Sequence, residues 1–531
     1  MKDFAALLDG LSFMAARNGK LRLIADYCAR TPDPARGYAL AALTDPLSFT
    51  GAKPAAIRAL AEARADPVLF RWSYDYVGDL AETAALIWPQ RPGANRPPEL
   101  PEVVERLQRA TRAEVPGLIE GWLDALDATG RWALLKLITG ALRVGVSARL
   151  AKTALAEWSG RPLAEIEEVW PSQAPPYAGL FAWLEGRAPR PEPGDAPTFR
   201  PLMLSTPLEE SDLVSLFPAD YFAEYKWDGI RVQLVAAPGG RRLFSRTGED
   251  VGGAFPEILE AEAGQVVLDG ELLVVRDLEV APFNDLQQRL NRKAPTARLL
   301  EENPGHLRLY DALEIEGLDL RGRPLTERRA ALEDWYRRRR PAHMDLSPLI
   351  PFERWEELIE LRAAARAEGI EGLMLKRRDS PYLAGRPKGP WFKWKRDPLT
   401  ADCVLMYAQR GHGKRSSFYS DYTFGVWREG AAGAELVPVG KAYFGFTDEE
   451  LKRLDKWVRD HTRERFGPVR AVEPGLVLEI AFDALQASSR HKSGLAMRFP
   501  RVARIRWDKP AAEADLLSTL QALVAAPGAE A

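Results

Sequence analysis

The chain has 531 residues, 46 % hydrophobic and 28 % charged, which suits about three globular domains and excludes wholesale disorder. No stretch approaches the roughly 18 apolar residues of a membrane span, and Asp3 and Asp9 bracket an apolar run too short for a secretory leader. Cys28 and Cys403 are too few for a disulfide scaffold or a four-thiolate zinc site, so a reduced, cytoplasmic protein is expected. With 73 basic and 75 acidic residues the net charge is −2, and any polyanion site must arise from local clustering. Only 17 of the basic residues are lysines, which gives weight to a lysine in a suggestive place.

Up to about residue 187 apolar residues recur at helical spacing, as in Phe4, Leu7, Leu8, Leu11 and again in Leu134, Leu135, Ile138, Leu142. A proline-rich stretch at 88–102 splits this region, and a second at 188–201 reads as an interdomain linker. The period then becomes two. Glycine-punctuated β runs at 221–237, 239–248 and 264–277 predict a mostly antiparallel sheet, interrupted by helices at 324–338 and 353–368. The β character continues through Trp391-Phe392-Lys393-Trp394-Lys395. From Ala401 onward further short strands are expected, with one helix opened by the capping box Thr447-Asp448-Glu449-Glu450 and running through His461. Such a pattern suits a small β-barrel of the oligonucleotide-binding (OB) type. The expectation is therefore multidomain: an all-α domain at 1–195, an α+β domain with antiparallel sheets at 199–396, and an all-β OB-fold domain at 397–531.

Several familiar chemistries are missing. The only phosphate-loop candidate, 408–416, has Ala408 in place of the first glycine and Arg415 in place of the hydroxyl residue. His306, His343, His412, His461 and His491 are scattered, with no pair at i,i+4, so zinc is not expected. No GxSxG elbow occurs. Catalysis must rest on lysine, arginine and carboxylates.

Six short segments carry such residues. In Glu224-Tyr225-Lys226-Trp227-Asp228-Gly229-Ile230-Arg231, period two puts Glu224, Lys226 and Asp228 on one strand face, and Gly229 allows the backbone to turn or to approach a ligand closely. Ser245-Arg246-Thr247-Gly248-Glu249-Asp250 reads as a hairpin turn. Val267-Leu268-Asp269-Gly270-Glu271-Leu272 sets two carboxylates beside a glycine. Glu371-Gly372-Leu373-Met374-Leu375-Lys376 repeats the Glu-Gly step before a cation. In the fifth, 391–395, Lys393 and Lys395 share a face. The last couples Arg498-Phe499-Pro500-Arg501 to Arg506-Trp507-Asp508-Lys509. Each alone reads more readily as structure than as catalysis; the ordered set from Glu224 to Lys509 does not read as coincidence.

These segments, with Leu309-Tyr310-Asp311, resemble the nucleotidyltransferase motifs of ATP-dependent DNA ligases, shared in part with RNA ligases and mRNA-capping enzymes. The helical third resembles the family's DNA-binding domain through Leu142-Arg143-Val144-Gly145-Val146. The resemblance implies that Lys226 attacks the α-phosphate of ATP to give a lysyl-AMP. A lysine is almost wholly protonated at neutral pH, so Lys393, Lys395 and a divalent ion, Mg2+ or Mn2+ on Glu271 and Glu371, are expected to activate it and to stabilise phosphate charge. By the same resemblance Glu224 reads the adenine amino group, Tyr310 stacks on the purine, and Arg231 and Arg246 contact ribose and phosphate. Arg506 and Lys509 orient the pyrophosphate, and a hinge near 396–399 then swings the last domain away. Between the fourth and fifth motifs the pattern departs from the family's, and either Arg386 or Lys388 contacts phosphate.

Gripping a duplex at a nick requires phosphate contacts, for which Arg143, Arg149 and Lys152 are the candidates; the bland alternative for them is a solvated helix face. The run 337–340 reads as an exposed helix end. The leading expectation is a monomeric bacterial cytoplasmic DNA ligase acting on duplex DNA with a 5′-phosphate nick. The alternatives are an RNA ligase or guanylyltransferase, and a non-catalytic nucleic-acid-binding scaffold.

Overall fold

A computed structural model describes residues 1–524 except 45–46, 48, 50–51, 90–95, 141, 193, 291, 293, 365–368, 411–418, 431–432, 444 and 489–490. Most of the phosphate-loop candidate and the end of the 353–368 helix thus lie outside the described residues. The described residues form two compact units, one of Met1–Arg161, Pro175–Leu184 and 398–524, the other of Pro162–Ala174 and Glu185–Asp397. Among the described residues no helix is long and apolar enough to cross a membrane, and Cys28 and Cys403 are free and buried.

The first unit begins with short helices. Helix α1 (Lys2–Phe13) buries Phe4, Leu7, Leu8 and Leu11, the face its spacing predicts, and is followed by α2 (Arg17–Arg30). Helix α3 (Ala128–Thr139) buries Leu134, Leu135 and Ile138 but stops at Gly140, a left-handed cap at φ 67°. Leu142 therefore falls in the next loop rather than on the helix face expected for it. That loop leads to α4 (Ala148–Ser159), capped by Ser147. It holds Arg143 at φ 47° and is pinned by Lys20 of α2, whose ammonium donates to the carbonyls of Val144 at 2.7 Å and Gly145 at 3.0 Å.

The second unit is built on β1 (Tyr221–Trp227), β2 (Ile230–Ala237), β3 (Gly240–Ser245), β4 (Val266–Arg276), β5 (Gly305–Ile315), β6 (Met344–Leu346), β7 (Leu349–Ile350), β8 (Ile370–Arg377) and β9 (Trp391–Lys395), with α5 (Leu325–Arg339) and α6 (Trp355–Ala364). One sheet runs β9-β8-β1-β7, extended beyond β9 by Thr206–Pro207 in parallel; the other runs β3-β2-β4-β5, with β6 parallel to β5. Alternation decides what each face buries. Tyr221, Ala223, Leu373, Leu375 and Trp394 pack with Leu358 of α6 on the outer side of the first sheet. Val232, Leu234, Leu268, Leu272 and Leu309 pack with Leu332 and Trp335 of α5 on the outer side of the second. Trp391 of the first sheet meets Val235, Phe244, Val267 and Leu313 of the second, so the two sheets face each other. Each of these large side chains contributes about 1.5–3 kcal/mol on burial. The arginine run ends α5 in solvent as expected, with Arg337 and Arg338 paired to Asp334.

After Asp397, where the units divide, come β10 (Leu399–Arg410), β11 (Tyr419–Gly430), β12 (Gly433–Ala442), α7 (Asp448–Asp460), β13 (Thr462–Phe466), β14 (Val469–Val472), β15 (Val477–Phe482) and β16 (Arg501–Arg506). The capping box forms: the Thr447 hydroxyl accepts from the Glu450 amide and the Glu450 carboxylate accepts from the Thr447 amide. On one edge β10 pairs first with β15 over residues 399–404, then with β14 over 407–409. Register shifts against β11 at Leu405/Tyr407 and Gln409/Arg410 mark irregularities that bend a strand. The result is a curled antiparallel sheet around Leu405, Tyr422, Phe424, Leu454 and Val458.

Candidate active site

The polar residues of the second unit gather where its two sheets face each other. The pleat that sends Ala223 and Leu373 outward sends Glu224 and Lys226 of β1, Lys376 of β8, and Lys393 and Lys395 of β9 inward. Lys226 stands opposite Gly372, which stands opposite Lys395; Glu224, Met374 and Lys393 form the next row. On the facing sheet, Glu271 of β4 lies between Arg231 of β2 and Arg308 of β5.

Two glycines make these rows possible. At Gly372, φ is 145° and a Cβ would stand 2.3 Å from the Trp394 carbonyl oxygen, so glycine admits β9 alongside. A register shift between Ile370 and Gly372 breaks the alternation next to Glu371, whose carboxylate forms an ion pair with the Lys226 ammonium and lies 3.7 Å from the Lys395 ammonium. At Gly229 a Cβ would stand 2.5 Å from the Leu272 carbonyl oxygen. Glycine there makes room for a neighbouring strand. Strand β1 ends at Trp227, and Asp228 lies in the bend that follows, its amide donating to the Gly369 carbonyl at 2.8 Å. Asp228 thus does not continue the face of Glu224 and Lys226 as a strand residue.

The electrostatics are divided. Burial, with help from Glu371 and Asp228, pushes the Glu271 carboxyl up to about 7 against the pull of Lys226 and Arg231. Burial also acts to raise Glu371, but Lys226 and Lys395 outweigh it and leave that carboxyl below its ordinary value. The cations converge on Lys393: burial, then Arg386, Lys395, Lys226 and Arg246, push its ammonium below the usual lysine value. Lys226 itself has a carboxylate as its salt-bridge partner, with the second cation of the row, Lys395, sharing that carboxylate.

Glu224 is buried and accepts from the Lys376 ammonium at 2.9 Å. The same ammonium sits 4.1 Å from the centre of the Tyr310 ring and 4.9 Å from that of Trp391. The two residues assigned to the purine are thus joined by a third, Lys376, that was not among the expected site residues; a lysine closing an apolar β run, in a chain poor in lysine, was the available signal. Burial outweighs Glu224 and lowers the Lys376 pKa.

Arg231 is directed inward. It donates to the Met203 carbonyl at 2.6 Å, to Asp269 at 2.7 Å and to the Tyr382 hydroxyl at 3.1 Å, and Tyr382 donates to Asp269 at 2.5 Å. Its Nε is buried without a hydrogen-bond partner among the described residues. Asp269 and Tyr382 are further unforeseen members of the site. Beside Tyr310, buried Asp311 accepts from Arg328 of α5, which also donates to the Ser380 carbonyl and so ties the segment before Tyr382 to β5. Arg246 is exposed in the turn after β3.

Arg386 and Lys388 are exposed in the segment before β9; the remaining expected residues belong to the first unit. Arg143 and Arg149 are exposed and Lys152 half-buried. Arg506 donates to Asp508 at 2.9 Å and Lys509 to Asp402 at 2.7 Å.

An amine, two carboxylates and a set of cations converging between facing sheets form the candidate site of a group-transfer enzyme. Known proteins make the class specific. The family model described as "ATP dependent DNA ligase domain" matches residues 202–395, and that described as "ATP dependent DNA ligase C terminal region" matches 415–509. A "Probable DNA ligase" of Koribacter versatilis is 37 % identical over 72 % of this chain and 70 % of its own length. "DNA ligase 1" of Korarchaeum cryptofilum is 28 % identical over 98 % of this chain and 97 % of its own. The solved structure "Pmar-Lig_PreS3" shares the fold, with a TM-score of 0.61, 16 % identity and coverage of 95 % and 99 %. The chain belongs to the ATP-dependent DNA ligases, enzymes that form phosphodiester bonds.

Proposed function

We propose that this ligase joins nicks in duplex DNA, as a monomer in the cytoplasm, with Lys226 as the residue that carries AMP. The observation that carries the reading is the position of Lys226, inward-facing beside Glu371 and in one cross-strand row with Lys395. In the first step the Lys226 ammonium gives up a proton to solvent, the neutral nitrogen bonds to the α-phosphorus of ATP and loses a second proton, the bond to the bridging oxygen breaks, and pyrophosphate departs with the electron pair. The 5′-phosphate oxygen at the nick then displaces the lysine nitrogen to give an adenylated end. Finally the 3′-hydroxyl attacks that phosphate, AMP leaves, and the strand is closed.

The other residues bind and orient. Glu224, held by Lys376, offers an acceptor to the adenine amino group, and Tyr310 offers the ring face not taken by that ammonium. Lys393, in the positive field of Arg386, Lys395 and Arg246, supplies positive potential for phosphate oxygens. Arg231 acts through the groups it holds, Met203, Asp269 and Tyr382, and through its unpartnered Nε. Arg386, whose charge acts on Lys393, contacts nucleotide phosphate. Arg506 and Lys509 orient the pyrophosphate. The curled sheet after Asp397 is an OB-fold, and Arg143, Arg149 and Lys152 grip phosphates of the duplex.

The carboxyl of Glu271, forced up by burial beside Glu371 and Asp228, is an oxygen donor in need of positive charge, which fits a hard divalent cation such as Mg2+ or Mn2+. Glu271 and Glu371 would hold it. Bound there, the ion supplies charge neutralisation at phosphate.

Intact-mass measurement after mixing with ATP and Mg2+ tests the reading. One AMP should be gained and then lost on adding nicked DNA, and Lys226→Ala should gain none. An adduct on another side chain, labelling by GTP in preference to ATP, or release by nicked RNA alone would refute it.

A further inference from the structure

The terminal cations Arg506 and Lys509 are held in the free protein by a carboxylate outside every motif considered so far. Asp402 sits near the start of β10, just past the point where the two units divide. Its Oδ2 accepts from the Lys509 ammonium at 2.7 Å and from Nη1 of Arg506 at 3.4 Å. The backbone of Asp402 is locked in both directions to Asp515: its amide donates to the Asp515 carboxylate at 2.9 Å, and its carbonyl accepts from the Asp515 amide at 2.9 Å. The carboxylate is thus mounted on fixed backbone. Its other oxygen, Oδ1, is buried with no hydrogen-bond partner among the described residues.

Other acids nearby do not duplicate this arrangement. Asp508 engages Arg506 through Nε and Nη2, and Glu479 lies 3.8 Å from Nη1 of Arg506. Asp402 is the carboxylate whose one oxygen receives both Arg506 and Lys509. Two long side chains with many rotamers are thereby brought side by side through one acceptor. The short charge-assisted bond fixes the Lys509 ammonium in direction as well as position, while the longer contact keeps the Arg506 guanidinium, itself held by Asp508, beside it; the pair offers adjacent cations to an oxyanion richer in charge than one carboxylate.

We propose that Asp402 is a positioning residue for the first chemical step, aligning Lys509 and Arg506 as a joint grip on the pyrophosphate that leaves when the Lys226 nitrogen bonds to the α-phosphorus. The inference rests on the assignment of Arg506 and Lys509 to that leaving group. Asp402 acts through the two cations it accepts from, and its effect is confined to the step in which pyrophosphate departs.

The test uses the full-length protein and separates the steps. Single-turnover formation of the covalent AMP adduct is followed against ATP concentration for the natural protein, Asp402→Asn, Asp402→Glu and Lys509→Ala. The same proteins, without ATP, are given a nick already carrying a 5′-adenylate, where no pyrophosphate is involved. Asp402→Asn should lower adduct formation per unit ATP by about tenfold, as loss of a charge-assisted alignment does, and change sealing of the adenylated nick by less than about twofold. Asp402→Glu should recover part of the loss. Equal losses in both reactions would mark Asp402 as merely structural, and an unchanged adduct rate would leave it no role; either overturns the proposal. If Lys509→Ala slows adduct formation and Asp402→Asn does not, the positioning role alone fails. If Lys509→Ala has no effect either, the assignment of the terminal cations fails with it.

Discussion

The buried pair of Lys376 and Glu224 allows the electrostatics of the site to be tested without any nucleotide. At 2.9 Å two unit charges attract by about 6 kcal/mol at an effective dielectric of about 20. Yet burial still lowers the Lys376 pKa against that attraction, so the pair as a whole is no large source of stability. Removing one partner is a different matter, because the other is left charged and buried, at a cost of about 3–5 kcal/mol. Lys376→Met and Glu224→Leu should therefore each destabilise the second unit by that amount. The double variant should return to within about 1–2 kcal/mol of the natural protein, an apolar pair replacing an ionic one. Hydrogen exchange of the most protected amides of β1 and β8 reads this locally in a chain of two units, and 3–5 kcal/mol corresponds to roughly two to four orders of magnitude in rate. Single variants that exchange like the natural protein, or a double variant no better than the worse single one, would refute the reasoning.

Further outcomes follow from particular contacts. Gly372→Ala and Gly229→Ala each drive a Cβ to within 2.5 Å of a backbone oxygen; both should lower Tm, and both should abolish most AMP-adduct formation, since the strands that move carry Glu371, Lys395 and Glu271. Arg143→Ala, if that side chain holds one phosphate, should reduce the slope of log affinity for nicked duplex against log salt by about 0.9; an unchanged slope would make it a solvated side chain. Cys28, whose thiol burial pushes up to about 12, and Cys403, also raised by burial, stay protonated across pH 7–9 in the folded state. Iodoacetamide should label neither over that range until the chain is unfolded, as mass spectrometry would show.

Much of the fold was legible in sequence because its signals are local. The spacing of Phe4, Leu7, Leu8 and Leu11 names the buried face of α1, and the period of two in 391–395 names the shared face of Lys393 and Lys395. The capping box at Thr447 is complete within four residues, and it forms. Local signals also misled where a neighbour intervened. Leu142 has helical spacing, but Gly140 adopts a left-handed cap and ends the helix first. Asp228 has strand spacing, but the chain leaves the strand after Trp227.

By itself the sequence determined which chemistry was present, since lysines, carboxylates and arginines in that order leave little else for catalysis to use, and it determined the face of residues inside unbroken strands and helices, since pleat and helix repeats are properties of neighbouring residues. The tertiary structure alone decided the pairings. Lys226 meets Glu371 across 145 residues and Lys376 meets Glu224 across 152, because β8 lies between β1 and β9. Arg231 turns to Met203, Asp269 and Tyr382 because the second sheet closes over the first. Sheet order and register are set by packing of the whole unit, and no short window of sequence contains them.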